Sequence, residues 1–417
     1  AVAESGTAQQ TSRLSALIGS DNYGGRVREP INSEIVNTGS WPMFQRDTGN
    51  TGAVLDGVSL TESISVEWQY DSVKDGATMP VVDHNRVYIG FGTNNDETTQ
   101  GKLLALSRTD SSVVWEQTFE RAIRTPAVVD GFVYFGTHST GGNHHTPRYG
   151  NIYKINATTG EQVWRFEPAG GVSTPPTVVD DTVYFGTKGS GSTYLQGTAY
   201  AVRASTGELL WEEVLGWGTF SAPAVDSDHV FIESRDEHSP FYALDRASGS
   251  VVWEYPMPDF KGNGTVADGI VYVTGFRDDA RVAAIDAQTG NQVWEFSTES
   301  EVKTSPAVAN GNLYFATVEG TIQAVDADTG STEWSATIDE QIVRAPSVID
   351  EIVYFADLSG RILGFNMNSG NKQFQYNLDL DGEGNITTPV IVDGRIFVAS
   401  GDSGSVYALA GTQTESG

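Results

Sequence analysis

Residues 304–334 read TSPAVANGNLYFATVEGTIQAVDADTGSTEW. An apolar run reaches Asn310-Gly311, a second alternates through Leu313-Tyr314-Phe315, a third ends at Val325-Asp326, and Trp334 marks a fourth. Asn-Gly supplies the positive φ angles that a two-residue hairpin needs, so the first two runs are antiparallel neighbours. Asp130-Gly131, Asp268-Gly269 and Asp393-Gly394 stand at the same place in other stretches of the chain. Between the third and fourth runs comes Ala327-Asp328-Thr329-Gly330, matched by Ala157-Thr158-Thr159-Gly160, Ala204-Ser205-Thr206-Gly207, Ala247-Ser248-Gly249 and Ala287-Gln288-Thr289-Gly290. Short polar side chains in such a turn bond neighbouring amides, and its glycine takes a left-handed conformation. The stretch is therefore one four-stranded antiparallel sheet.

Working outward, the same unit fills most of the chain. Trp68, Trp115, Trp164, Trp211, Trp253, Trp294 and Trp334 recur every 40–49 residues, and Phe374 takes an eighth slot. A period in the forties with four short strands per unit is that of a propeller blade, a small sheet that buries both faces only when neighbours flank it. A large aromatic repeated in every unit reads as a dock against the adjacent blade. Trp68 has no third strand before it, whereas the last unit stops on its third strand, Ser405-Val406-Tyr407-Ala408-Leu409. The strand around Trp68 should thus complete the last blade and remove the open edges of the ring. The sequence predicts an all-β, eight-bladed propeller of four-stranded antiparallel blades over residues 41–410. A flexible N-terminal tail over 1–40, rich in Ser, Thr, Gly and Gln, and a C-terminal tail over 411–417 flank it.

Composition excludes some partners. The chain has 25 Lys and Arg against 54 Asp and Glu, a formal charge of −29, which repels nucleic-acid phosphates and anionic lipid. The acids are spread through every repeat as a solvated coat, as in a protein from a salt-loving organism, where a Debye length of about 3 Å in molar salt screens the self-repulsion, or as in an ordinary acidic secreted protein. Having no cysteine, the chain forms no disulfides, thiolate metal sites or cysteine nucleophiles. No stretch approaches the apolar length of a membrane span, and a start at Ala1 rather than Met fits a processed, exported protein, extracellular or at the cell surface.

The residues resemble a known family. Pro126…Val128-Val129-Asp130-Gly131-Phe132-Val133-Tyr134-Phe135-Gly136, and then Ala243-Leu244-Asp245…Val252-Trp253, are similar to the PQQ-like β-propeller repeat. Trp41-Pro42-Met43-Phe44-Gln45-Arg46-Asp47…Asn50-Thr51-Gly52 looks like the lead-in segment that often precedes it. The resemblance covers about residues 41–410 and implies the propeller fold. It leaves function open, since the family holds quinoprotein alcohol dehydrogenases, an outer-membrane assembly lipoprotein and many exported proteins. The dehydrogenases would imply PQQ and calcium. They carry large insertions, however, and many have a vicinal cysteine pair that this chain lacks, and none of their catalytic residues transfers by motif.

Candidate sites follow from the loops. Antiparallel strands put the first-to-second and third-to-fourth turns on one face, and the second-to-third and blade-to-blade loops on the other. That second, long-loop face holds the insertions 94–100, 138–150, 188–196 and 235–240, all in blades one to four, against only Val318-Glu319-Gly320 and Leu358-Ser359-Gly360 in blades six and seven. Loops on a rigid scaffold are where binding concentrates. Just before the first strand of four blades stand Arg124, Lys261, Lys303 and Arg344. In equivalent positions they would form a cationic ring that focuses an anion at the channel mouth. The plain alternative pairs each with a neighbouring carboxylate such as Glu120, Glu301 or Glu340. Trp217, between glycines on the same face, could stack on a planar ligand or a sugar, or fill the channel, while Trp41 reads as a packing anchor. His138, His144 and His145 lie beside Arg148 and Tyr149 in the second-blade insertion; His144-His145 is not a zinc-ligand spacing and reads as ligand contact or plain surface. Asp379, Asp381 and Glu383 begin like a calcium loop, but the twelfth position is Val390, so a solvated acidic loop is the competing reading.

Three functions are compatible with these features. One is an exported non-catalytic propeller that binds a protein, glycan or anionic ligand through the long-loop face and needs no cofactor. The second is a PQQ- and calcium-dependent quinoprotein dehydrogenase. The third is a lyase or hydrolase acting on an acidic polysaccharide with His144 or His145, Tyr149 and the cationic ring.

Overall fold

In the computed structural model, residues 40–411 are described apart from 56, 61–63, 73–75, 93–99, 139–148, 190–195, 217, 235–239, 257–263, 276–279 and 381–383. The expected tail over 1–40, except Ser40, and the residues 412–417 lie outside the described residues.

Eight antiparallel sheets follow one another around a ring. Blade 1 is built of Val81–Val82, Arg86–Phe91, Gly101–Ser107 and Val113–Phe119, from the inner strand to the outer one that carries Trp115. Blades 2 to 7 repeat that order. Blade 8 takes Val390–Val392, Arg395–Ala399 and Val406–Gly411 from the C-terminal end, and its outer strand is Ile64–Tyr70. That strand pairs antiparallel with Val406–Gly411, Ile64 opposite Gly411 and Tyr70 opposite Val406. The ring is closed by an N-terminal strand.

The hairpins form because their residues accept the backbone demanded of them. Asp130 and Gly131 sit at φ 50° and 76°, and Asn310 and Gly311 at 52° and 76°, the paired positive values of a tight, twist-matched turn. Blade-to-blade cohesion comes from the tryptophans. Trp115, Trp164, Trp211, Trp253, Trp294 and Trp334 each donate the indole N–H to the carbonyl that opens the outer turn of the next blade, at 2.8–3.0 Å. Trp68 does the same to Arg108 across the closure. The glycine of that turn lies flat on the indole: a Cβ on Gly330, whose φ is +70°, would stand 2.8 Å from the ring of Trp294. The left-handed backbone and the close approach favour glycine there; in the turn that faces Trp68 the position is Ser111, at φ 58°. At the Phe374 slot, which lacks an indole, the Leu60 carbonyl ahead of the outer strand of blade 8 accepts the Tyr354 hydroxyl at 3.0 Å.

Each outer strand also shows a register shift beside its aromatic, for example between Ala105 and Leu106 opposite Val113–Trp115. Such bulges disrupt the edge ladder and discourage edge-to-edge aggregation.

The lead-in segment does more than anchor Trp41. It runs through the central channel, where its carbonyls accept the inward N–H groups of the inner strands. Trp41 exchanges two backbone bonds with Val82, and Pro42, Thr48, Gly49, Thr51, Gly52 and Val54 accept from Val128, Val225, Val266, Val308, Val348 and Asp350. Six blades are thus tied to one strap. Ala53–Val54 adds a parallel strand to blade 7. Trp41 is fully buried.

Candidate functional site

The long-loop face is built where each chain crossing dives toward an inner strand. Its hydroxyls follow a pattern visible in the sequence: Ser or Thr stands just before the repeat proline, as in Ser173-Thr174-Pro175, Thr304-Ser305-Pro306 and Thr387-Thr388-Pro389. In the structure the threonine hydroxyl accepts the N–H of the second strand, Thr78 from Gly90 at 3.0 Å, Thr174 from Gly186 at 2.9 Å and Thr387 from Ala399 at 3.1 Å. These bonds fix the crossings into blades 1, 3 and 8, whereas the buried Thr304 hydroxyl in blade 6 has no hydrogen-bond partner among the described residues. The strap is bonded along the inner strands of six of the blades.

Arg124 and Arg344 stand two residues before the repeat proline in blades 2 and 7, Lys303 stands three before it in blade 6, and all three are half-buried. Lys303 lies 3.3 Å from Glu301, one of the carboxylates named as its alternative partner. Arg344 donates Nε to the Ile386 carbonyl at 2.8 Å and a terminal N–H to Asn385 Oδ1 at 2.5 Å, bracing the crossing into blade 8. Burial pulls its pKa below the usual arginine value, partly offset by Asp402. Lys261, Trp217, His144, His145, Asp381 and Glu383 lie outside the described residues; Asp379 is exposed. His138 is buried, and Tyr149 is 51% exposed with the Arg121 guanidinium 5.6 Å from its ring centre.

Several polar groups here carried no motif. Glu233 is fully buried, and its Oε1 accepts the backbone N–H groups of Phe220 and Ser221 at 2.9 and 3.0 Å, shaping the crossing between blades 3 and 4. The Lys188 ammonium sits 4.8 Å from the Phe220 ring centre. On the strap, Asn50 reaches the Ala222 and Gly264 carbonyls at 3.2 and 3.3 Å. The one sequence signal for these residues was their place beside the repeat prolines or in the lead-in motif.

Among the described residues no three His, Asp or Glu groups converge where a metal ion could sit. No described helix is long and apolar enough to cross a membrane.

Comparisons with known proteins agree on the architecture. A family profile described as outer membrane protein assembly factor BamB matches residues 148–261 and 241–416. No curated protein matches the sequence. Among solved structures, BamB from Moraxella catarrhalis superposes with a TM-score of 0.65 at 17% identity, covering 84% of this chain and 100% of that one. The quinohemoprotein alcohol dehydrogenase ADHIIG from Pseudomonas putida HK5 gives 0.69 at 14% identity, covering 89% and 80%. A europium-containing methanol dehydrogenase gives 0.69 at 13%, covering 90% and 98%. At such identities the likeness is one of fold.

Proposed function

The chain belongs to the PQQ-like propeller family described as outer membrane protein assembly factor BamB, and on that footing we propose that it is an exported, non-catalytic binding or scaffold module. It acts outside the cell or at the cell surface and engages a protein partner through the long-loop face of blades 1 to 4, with an anionic group received near Arg124, Lys261, Lys303 and Arg344. The observation that carries this reading is the strap: the inner strands of six blades are hydrogen-bonded to the protein's own backbone, which supports binding at the loops of the face and not along those strands. The insertions of blades 1 to 4 supply that face with variable surface on a rigid ring.

Photo-crosslinking residues placed at Tyr149 and Lys303 on the long-loop face, and at Ser205 and Asn368 on the opposite face, test it in cells. A discrete protein adduct from the first pair and none from the second supports the reading; adducts from the second pair alone refute it. Incubation with PQQ and calcium should give no cofactor absorbance retained through gel filtration and no alcohol-dependent dye reduction. Retained cofactor with turnover would replace the binding module by the dehydrogenase.

A further inference from the structure

The residue two places after each slot aromatic forms a second column around the ring: Tyr70, Gln117, Phe166, Glu213, Tyr255, Phe296, Ala336 and Tyr376. These side chains point at the next blade. Phe166 packs 6.4 and 6.0 Å from the Phe185 and Tyr200 rings of blade 3, and Phe296 lies 5.9 Å from Phe315 of blade 6. In five of the eight blades an aromatic therefore stands at the cleft to the next blade, whereas blades 3 and 6 have Glu213 and Ala336. Blade 1 has Gln117 there. Its Phe119, two residues on, covers the upper part of the cleft, 4.8 and 5.0 Å from Phe135 and Tyr153. The lower part is left as an open cavity of about 290 Å³ on the outer rim.

The walls of this cavity have a chemistry. Its apolar lining is Phe119, Tyr153 and Ile155, and around it stand Gln117, Gln162, Glu120, Glu161 and Arg165. Two carboxylates against one guanidinium leave the lining net negative within a chain of charge −29. An aromatic floor below carboxylates takes an organic cation, by ion pairing and by the negative face of the ring. The two outer strands that border the cavity also expose aliphatic side chains: Val113 and Val114 are 45% and 44% exposed, and Val163 is 49% exposed. A cation pocket flanked by exposed valines has the make-up of a protein contact with a buried arginine anchor and an apolar surround. We infer that the rim cleft between blades 1 and 2 is a second docking site, which receives an arginine carried on an extended aliphatic segment of a partner protein. Charge complementarity selects that occupant over an acidic peptide, and the aliphatic border selects it over a free amine. The site lies on the rim, away from the long-loop face, and stands or falls independently of the function proposed there.

The tripeptide acetyl-Val-Arg-Val-amide, titrated into the full-length protein and followed by NMR amide shifts, tests the inference. Shifts should concentrate on Gln117, Gly160 and Gln162, and weaken as salt rises. Gln117→Phe restores the aromatic column; it should keep the fold and weaken binding by at least about tenfold. Gln117→Leu serves if that variant does not fold. Glu120→Gln with Glu161→Gln should weaken binding by at least about fivefold, and acetyl-Val-Glu-Val-amide should not bind. No shift at these residues at any attainable concentration overturns the inference. So do shifts unchanged by filling the cleft, equal binding of the glutamate peptide, or displacement of the peptide by a neutral oligosaccharide.

Discussion

Replacing Trp253 with Phe should destabilise the propeller more than replacing Trp294 with Phe, although the two indoles occupy the same slot. Each donates its N–H at 2.9 Å, to the carbonyl of Ala287 and of Ala327, and both alanines are buried. The Ala327 carbonyl also accepts the Tyr272 hydroxyl at 3.2 Å. Blade 4 has Phe231 where blade 5 has Tyr272, so among the described residues no second side chain donates to Ala287. Both substitutions lose ring area, worth about 1–2 kcal/mol. Trp253→Phe also orphans a buried carbonyl, which adds about 1–3 kcal/mol. A difference of about 1–2 kcal/mol between the variants is expected. Adding Phe231→Tyr to Trp253→Phe should recover most of it, since tyrosines at that position reach the turn carbonyl in blades 1, 5 and 6. Guanidinium unfolding followed by far-UV circular dichroism is the assay, because the substitution removes a fluorophore, and midpoints should be compared at matched slope. Equal midpoints for the two variants, or no rescue by the tyrosine, would refute the reasoning.

Three further outcomes are expected. If the acidic coat is an adaptation to salt, the melting temperature should climb steeply from dilute to molar sodium chloride as carboxylate repulsion is screened; a flat or falling curve contradicts it. Glu67 on the closing strand accepts two bonds from Arg395 at 2.5 and 2.8 Å, which hold its carboxyl below the usual range. The resulting stability is present above the ordinary carboxylate pKa and fades as pH falls through the lowered one, so Glu67→Gln should cost up to about 1 kcal/mol at neutral pH and progressively less in acid, and a pH-independent cost would exclude the pair as its source. Burial pushes the Asp47 carboxyl on the strap upward despite its bonds from Thr51. A raised folded pKa favours the native state most below the ordinary value and loses that advantage as pH rises. Asp47→Asn should therefore gain on wild type between pH 4 and pH 7, measured as the difference in midpoints, and a difference moving the other way sinks the assignment.

The parts of this fold that were legible in the sequence are those with local, obligatory chemistry. Asp-Gly and Asn-Gly turns, a glycine under six of the seven slot indoles and a strand with no partner before Trp68 each admit one structural reading, and repetition multiplies the signal. The course of the strap was hidden for the opposite reason. Its bonds are made by backbone carbonyls to inner strands of six blades, and a backbone carbonyl has no side-chain signature. The cations were legible as positions but not as partners: the spacing put Arg124, Lys303 and Arg344 two or three residues before the repeat proline, whereas Arg344 is held by Asn385 and Ile386 on the crossing into the next blade. In a repeat protein, a residue shared by all eight units can report only on what the units have in common, namely packing and closure. Individual function has to enter through the exceptions. Gln117 in a largely aromatic column and Phe231 in a largely tyrosine one are both visible in the sequence, but their meaning depends on which way the column faces. Only when the column is known to point into the neighbouring blade does a glutamine there mean a cleft left open, and a phenylalanine a carbonyl left with a single donor.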